Sequence, residues 1–365
     1  MPFVASARFG RGEPVSTSLR SERVSRIKDV ALRAGVSTAT VSRALAEPGS
    51  VRPALRERVL EAVRALGYTP NAAARSLRAG HTRTILVLTR ARWSAPFFSA
   101  VLNGIDATLA EAGYSMILGN FDTGDRRRTA ILDMMFSGHI DGAIVLSGIA
   151  VSDGTRSMLE AGLPIVSICA AVEGTQAVVT DEAECIARLA AHLAGTGHRD
   201  FLYVTGPAAN YNETIRRAAL EASLGSWEGS RLRLAAGDFT MPSGAEAASA
   251  FLAMRPRPTA VVCCSDEMAI GFIKAVQAAG LDVPRDVSVA GFDGIEFADF
   301  CSPTLTTIRQ PRFELGAAGA KQLLAALRDG SAPAEPVVLQ SELRVGASTA
   351  APPLPGSRQP SVSAR

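Results

Sequence analysis

The segment Gly35-Val36-Ser37-Thr38-Ala39-Thr40-Val41-Ser42-Arg43 combines a glycine, small hydroxyl side chains and one arginine, residue types suited to reading a nucleic acid. Gly35 can take the left-handed conformation of a tight turn, Val36 can plug a core, and Ser37 can cap a following helix. On a helix from Thr38 to Leu45, the 3.6-residue period turns Val41, Ala44 and Leu45 inward. Thr38, Ala39, Ser42 and Arg43 are left outward. The preceding stretch Ile27–Ala34 reads as a helix with Ile27, Val30, Ala31 and Ala34 facing the same core. A short second helix after a glycine turn is the geometry that enters a DNA major groove. A helical hairpin unrelated to DNA is the plainer alternative. Charge leans towards DNA: residues 1–80 hold fourteen Lys/Arg against six Asp/Glu, whereas the rest of the 365-residue chain holds 24 against 29. A basic head on an acidic body suits a polyanionic partner, although a solvated basic face has the same composition.

Signatures of catalysis are missing. The chain has no Gly-x-Ser-x-Gly elbow, no phosphate-binding Gly-x-x-x-x-Gly-Lys-Ser/Thr loop and no His-Glu-x-x-His. Gly291-Phe292-Asp293-Gly294 lacks dinucleotide-binding spacing, so neither an enzyme nor a cofactor is expected. His192 and His198 read as framework residues at the surface, and no metal site is expected. The five cysteines are scattered and lie mostly in apolar stretches, which reads as buried free thiols in a reducing compartment. No apolar run is long enough to span a membrane, and Met1–Arg23 has no signal-peptide core. The expected location is the cytoplasm, with no membrane partner.

These elements need a scaffold, and its texture changes at Thr84. From there short apolar strands alternate with helices: Ile85–Leu88, Ser115–Leu118, Gly142–Leu146 and Ile165–Ile168, then Phe201–Val204, Leu232–Leu234, Ala260–Cys264 and Val287–Gly291. Two such sets predict an α/β body of two doubly wound parallel sheets, with ligands bound between them at strand C-terminal ends. The expected boundaries are a flexible arm at 1–24, a helix-turn-helix at 25–70, and a hinge helix with linker at 71–83. The body is expected at 84–346, with one lobe about 84–181 and 311–330 and the other about 182–310 and 331–346. A disordered tail is expected at 347–365.

Lys28-Asp29-Val30-Ala31, Ala34-Gly35-Val36-Ser37 and Thr40-Val41-Ser42-Arg43 closely resemble the head of the LacI/GalR family of transcriptional regulators. The resemblance runs on through Val51-Arg52-Pro53 and Leu66-Gly67-Tyr68-Thr69-Pro70-Asn71 to Leu77. It implies an all-α head with a hinge helix and a two-lobed body like a periplasmic binding protein. It also implies base reading by Thr38, Ala39 and Arg43, with Arg43 able to pair bidentately with guanine. Ser37, Thr40 and Ser42 would hold phosphates. Ala72–Arg78 resembles the family's hinge helix, with Leu77 as a minor-groove wedge and Arg78 beside it on the DNA.

In the body the resemblance covers Pro96-Phe97-Phe98, Gly237-Asp238-Phe239, Ser265-Asp266-Glu267, Gly291-Phe292-Asp293 and Leu305–Pro311. It implies an effector cleft lined by Phe97, Phe98, Phe239, Ser265 and Asp293, chemistry suited to a sugar-like ligand. Asn212 stands where an effector-gripping arginine is aligned, and Cys169-Ala170 replaces an Asp-Arg pair. That loss of charge argues for a neutral or weakly polar effector. The reading is a homodimeric repressor of near-palindromic operator DNA, controlled by a small molecule. A stand-alone sugar-binding protein is the alternative.

Overall fold

The computed structural model describes residues 25–69, 80–90, 96–122, 124–208, 210–330 and 335–353. The chain divides into two units at Ala79/Gly80. The expected arm, the hinge helix and most of the tail lie outside the described residues, as do Leu77 and Arg78.

The first unit is a small helical head. Helix α1 (Ile27–Ala34) ends at Gly35, which has a φ of 62°. Arg58 closes this turn from α3 (Pro53–Leu66), its Nη2 donating to the Ala34 carbonyl at 2.6 Å. Helix α2 (Thr38–Ala46) is capped by Ser37, which accepts from the Thr40 backbone N–H at 3.1 Å. Val30, Ala31, Ala34, Val41, Ala44, Val59 and Ala62 form the core, as the helical period requires, and Ile27, Val36 and Leu45 pack at its edge.

The second unit is built on two six-stranded sheets. Lobe 1 comprises β1 (Thr84–Thr89), α4 (Pro96–Glu111), β2 (Ser115–Asn120), α5 (Asp125–Phe136), β3 (Gly142–Val145), β4 (Ile165–Ile168) and β5 (Gln176–Thr180). The chain then crosses into lobe 2: α6 (Glu182–Gly195), β6 (Asp200–Val204), α7 (Tyr211–Gly225), β7 (Arg231–Ala235), α8 (Met241–Ala253), β8 (Ala260–Cys263), α9 (Asp266–Ala278), β9 (Ser288–Asp293), α10 (Phe297–Phe300) and β10 (Thr306–Arg309). Helix α11 (Arg312–Asp329) returns to pack on α4 and β4, and β11 (Val337–Leu339) precedes β12 (Glu342–Arg344). The sheet orders are β11-β5-β4-β3-β1-β2 and β12-β10-β9-β8-β6-β7. Among the described residues, these strands all pair in parallel except β10 with β12. Apolar strands such as Ile85–Leu88 and Ala260–Cys263 are buried because helices cover both faces of a parallel sheet.

Three expectations differ. Residues 337–339 join the first lobe's sheet, pairing with Val178–Thr180, so the last crossing falls at Gln340–Ser341 rather than near residue 331. Three-residue strands are too short to show a period, and their register is set by the sheet edge they complete. The tail is ordered as far as it is described. Ser348 is fully buried, accepts from Thr306 N at 2.8 Å and donates to the Val289 carbonyl at 2.6 Å. His198 is fully buried rather than at the surface; its ring pairs with Thr259 Oγ1, Ser288 Oγ and the Ala350 carbonyl, which ties the tail to lobe 2. The five cysteines are free thiols, four of them buried.

Backbone contact between α8 and α9 depends on glycine. A Cβ on Gly244 would collide with the Met268 carbonyl oxygen and sit 2.7 Å from Met268 Cα. Gly244→Ala is expected to destabilise the body by about 1–3 kcal/mol through forced separation of the two helices. Chemical denaturation checks this, and an unchanged midpoint would contradict the close approach.

Candidate DNA interface and effector cleft

Two candidate sites emerge, one in each unit. In the head, Thr38, Ala39 and Arg43 are exposed on α2, while Val41 and Ala44 hold the helix to its core. Ser37 and Thr40 hydroxyls lie 2.9 Å apart, so the two groups expected to hold phosphates are bonded to each other beside the cap. Ser42 is half-buried. The helix therefore presents two small side chains and one long cation on its outward face.

In the body, strand C-terminal ends converge between the lobes. Cys169 follows β4, Phe239 follows β7 and Asp293 ends β9; their φ values are 68°, 67° and 122°. Left-handed backbone costs a non-glycine residue roughly 1–3 kcal/mol, so the fold stores strain along this edge. The lobes touch here: a Cβ on Gly148 would lie 2.8 Å from Ala170 Cβ and 3.2 Å from Tyr211 Cβ.

The centre of the lobe 2 edge is an ionic cluster. Arg216, 3% exposed on α7, donates from Nε to Glu182 Oε2 at 3.0 Å and from Nη2 to Glu182 Oε1 at 2.8 Å. Its Nη1 donates to the Cys264 carbonyl at 2.7 Å. The guanidinium lies over the Phe292 ring, 3.8 Å from its centroid, and Asp293 Oδ1 stands 3.8 Å from Nη2. Asn212 Nδ2 donates to Glu182 Oε1 at 2.9 Å. Gln310 links the crossings to this cluster: its Nε2 donates to Asp293 Oδ1 at 2.9 Å, and its Oε1 accepts from Thr180 Oγ1 at 3.1 Å. Burial drives the carboxyls of Glu182 and Asp293 upward against the pull of Arg216. It also opposes the charge on Arg216, yet Glu182 holds that cation well above its ordinary value. Asp266 is pushed up to about 6 by burial, while it accepts from Thr307 Oγ1 and from Ile295 N.

Phe97 and Phe98 meet edge to face at the start of α4, centroids 5.2 Å apart and half-buried against the lobe 1 core. Phe239 is half-buried beside Gly206, where any larger residue would strike its ring. Asp293 is tied through Gln310 to Thr180 of lobe 1. Ser265 is 2% exposed and accepts from Met268 N at 3.2 Å, so the structure makes it the cap of α9. Asn212 does not stand in for a lost arginine. The cation is one helical turn further on, at Arg216, so the inference that this part of the cleft lost its charge is corrected. A signal for Arg216 and Glu182 was present: both continue the buried stripes of their helices, with Leu220 and Leu224 in one case and Cys185, Ile186 and Leu189 in the other. A cavity of about 290 Å³ opens beside the cluster, lined by Cys169, Thr180, Glu182, Tyr211, Ile215 and Gln340 among others.

A helix-turn-helix head joined to a two-lobed body with a polar interlobe cleft defines a ligand-responsive DNA-binding regulator. Residues 26–71 match the family described as bacterial regulatory proteins, lacI family, and residues 190–349 match a periplasmic binding protein-like domain. The chain is 33% identical over 308 residues to the transcriptional repressor CytR of Escherichia coli (strain K12), covering 81% of this chain and 88% of that one. Its fold is similar to the lac repressor dimer bound to operator and the anti-inducer ONPF, with a TM-score of 0.79 and 25% identity over 90% of this chain and 99% of that one. It is also similar to the regulator CelR in complex with cellobiose, with a TM-score of 0.67 and 28% identity over 89% of this chain and 99% of that one. The chain belongs to the LacI family of bacterial regulatory proteins. It is a DNA-binding transcriptional regulator with a small-molecule-binding body.

Proposed function

We propose that this protein is a cytoplasmic repressor, not an enzyme, and that two copies bind a near-palindromic operator. In this reading Thr38, Ala39 and Arg43 read base edges, Ser37, Thr40 and Ser42 hold phosphates, and Leu77 and Arg78 act at the operator centre. The observation that carries it is α2, whose apolar stripe is buried while Thr38, Ala39 and Arg43 are left outward. The effector binds between the lobes near Phe97, Phe98, Phe239 and Asp293, and the segment 71–83 passes its effect to the head. A sugar or sugar-like metabolite suits a cleft of aromatic rings and a hydroxyl-accepting carboxylate, and CelR supplies a family precedent with cellobiose.

The test compares the full chain with a truncation beginning at Thr84 on DNA selected from a random pool. The full chain is expected to bind with an affinity that falls steeply with salt, as phosphate neutralisation requires. The truncation is expected to lose DNA binding and keep ligand binding. Equal DNA binding by both would overturn the reading, and no DNA binding by either would favour a stand-alone sugar-binding protein.

A further inference from the structure

Glu182 lies at the interlobe edge, paired with Arg216. Its carboxylate takes both Nε and Nη2 of Arg216 in bidentate geometry, at 3.0 and 2.8 Å. A third bond from Asn212 fixes it there. Nη1 is committed to the Cys264 carbonyl, and one face of the guanidinium is covered by Phe292. Glu182 and Asp293 are the carboxyl groups that act on Arg216, while Asp266 and Arg312 act in turn on Asp293. Asp266 is held by Thr307 and Ile295, and Arg312 donates to the Gly294 carbonyl at 2.8 Å. An incoming phosphate or carboxylate would have to displace a desolvated carboxylate and leave it buried without its cation, which is strongly unfavourable. A hydroxyl, by contrast, can donate to Asp293 without disturbing the pair.

We propose that Glu182 is a specificity-determining residue, a built-in counter-ion that reserves Arg216 and closes the cleft to anionic effectors in favour of uncharged polyhydroxylated ones. This rests on the reading of the interlobe cleft as the effector site. The adjoining cavity is lined by Glu182 with Asp181 and Glu184, so it is the acidic partner of the pair that faces the open space.

The experiment is calorimetric titration of the full chain and of its Glu182→Gln variant with inorganic phosphate. Glu182→Gln keeps the side-chain shape and removes the charge. It is expected to bind phosphate at least about tenfold more tightly than the natural sequence, a shift of about 1.4 kcal/mol. Adding Arg216→Met is expected to abolish the gain. A cooperatively folding Glu182→Gln variant with no gain in phosphate affinity would overturn the proposal. If Glu182→Gln does not fold, the natural chain decides through paired titrations with ribose and ribose 5-phosphate. Binding of the phosphorylated sugar at least tenfold weaker supports the proposal, and equal or tighter binding overturns it. Operator binding is measured separately: its loss would remove the regulator reading, and a phosphate gain in Glu182→Gln would still stand.

Discussion

Arg216→Ala is expected to destabilise the body by about 3–5 kcal/mol, the usual cost of removing one partner of a buried ion pair. The loss has three sources. Glu182, 5% exposed, would keep only its bond from Asn212 and would have to be desolvated without a cation. The Cys264 carbonyl at the end of β8 would lose its donor, and the Phe292 ring would lose the cation stacked on it. Asp293 would also lose the positive charge 3.8 Å away that opposes its neutralisation. Urea unfolding followed on the body transition measures the change, and a loss below about 1 kcal/mol would show that the cluster contributes little to folding. Replacing both partners, as Glu182→Gln with Arg216→Met, is expected to recover much of the loss, because no charge is then stranded.

Arg43→Ala is expected to abolish operator discrimination, at about 1–3 kcal/mol for each lost bidentate base contact. A dimer carries two copies, so the specific complex loses the contact in both half-sites. Non-specific affinity should change little, because it depends on phosphate contacts made elsewhere. Binding to a selected operator and to a scrambled duplex, each across a salt series, separates the two effects. Unchanged discrimination would place base recognition on another element. The head should stay folded, since Arg43 is exposed and the core is built from Val41, Ala44 and their partners in α1 and α3.

Arg43 and Arg216 differ in how far the sequence alone exposes their roles. Arg43 could be assigned from a nine-residue window, because a glycine turn, a serine cap and a helical stripe are all local signals. Arg216 could not. Its partner Glu182 is 34 residues away, and what makes it important is the burial of both together. The family resemblance sets the gripping position at Asn212 and so implies a cleft stripped of charge. The helix corrects this, since one turn separates Asn212 from Arg216 and both reach the same carboxylate.

By itself, the sequence determined the head's helices, the alternation of strands and helices, and the family. These follow from periodicity and short-range turn and capping signals, which do not depend on distant contacts. Tertiary structure alone decided which sheet the last two strands join and that Ser348 and His198 are buried. It also decided that the cleft's cation is already neutralised from within. A polar group's role depends on which partner is brought to it when water is removed, and those partners come from segments far apart in the chain. The outward face of α2 was therefore legible from the start, whereas the chemistry of the Glu182–Arg216 pair existed only once the fold had buried it.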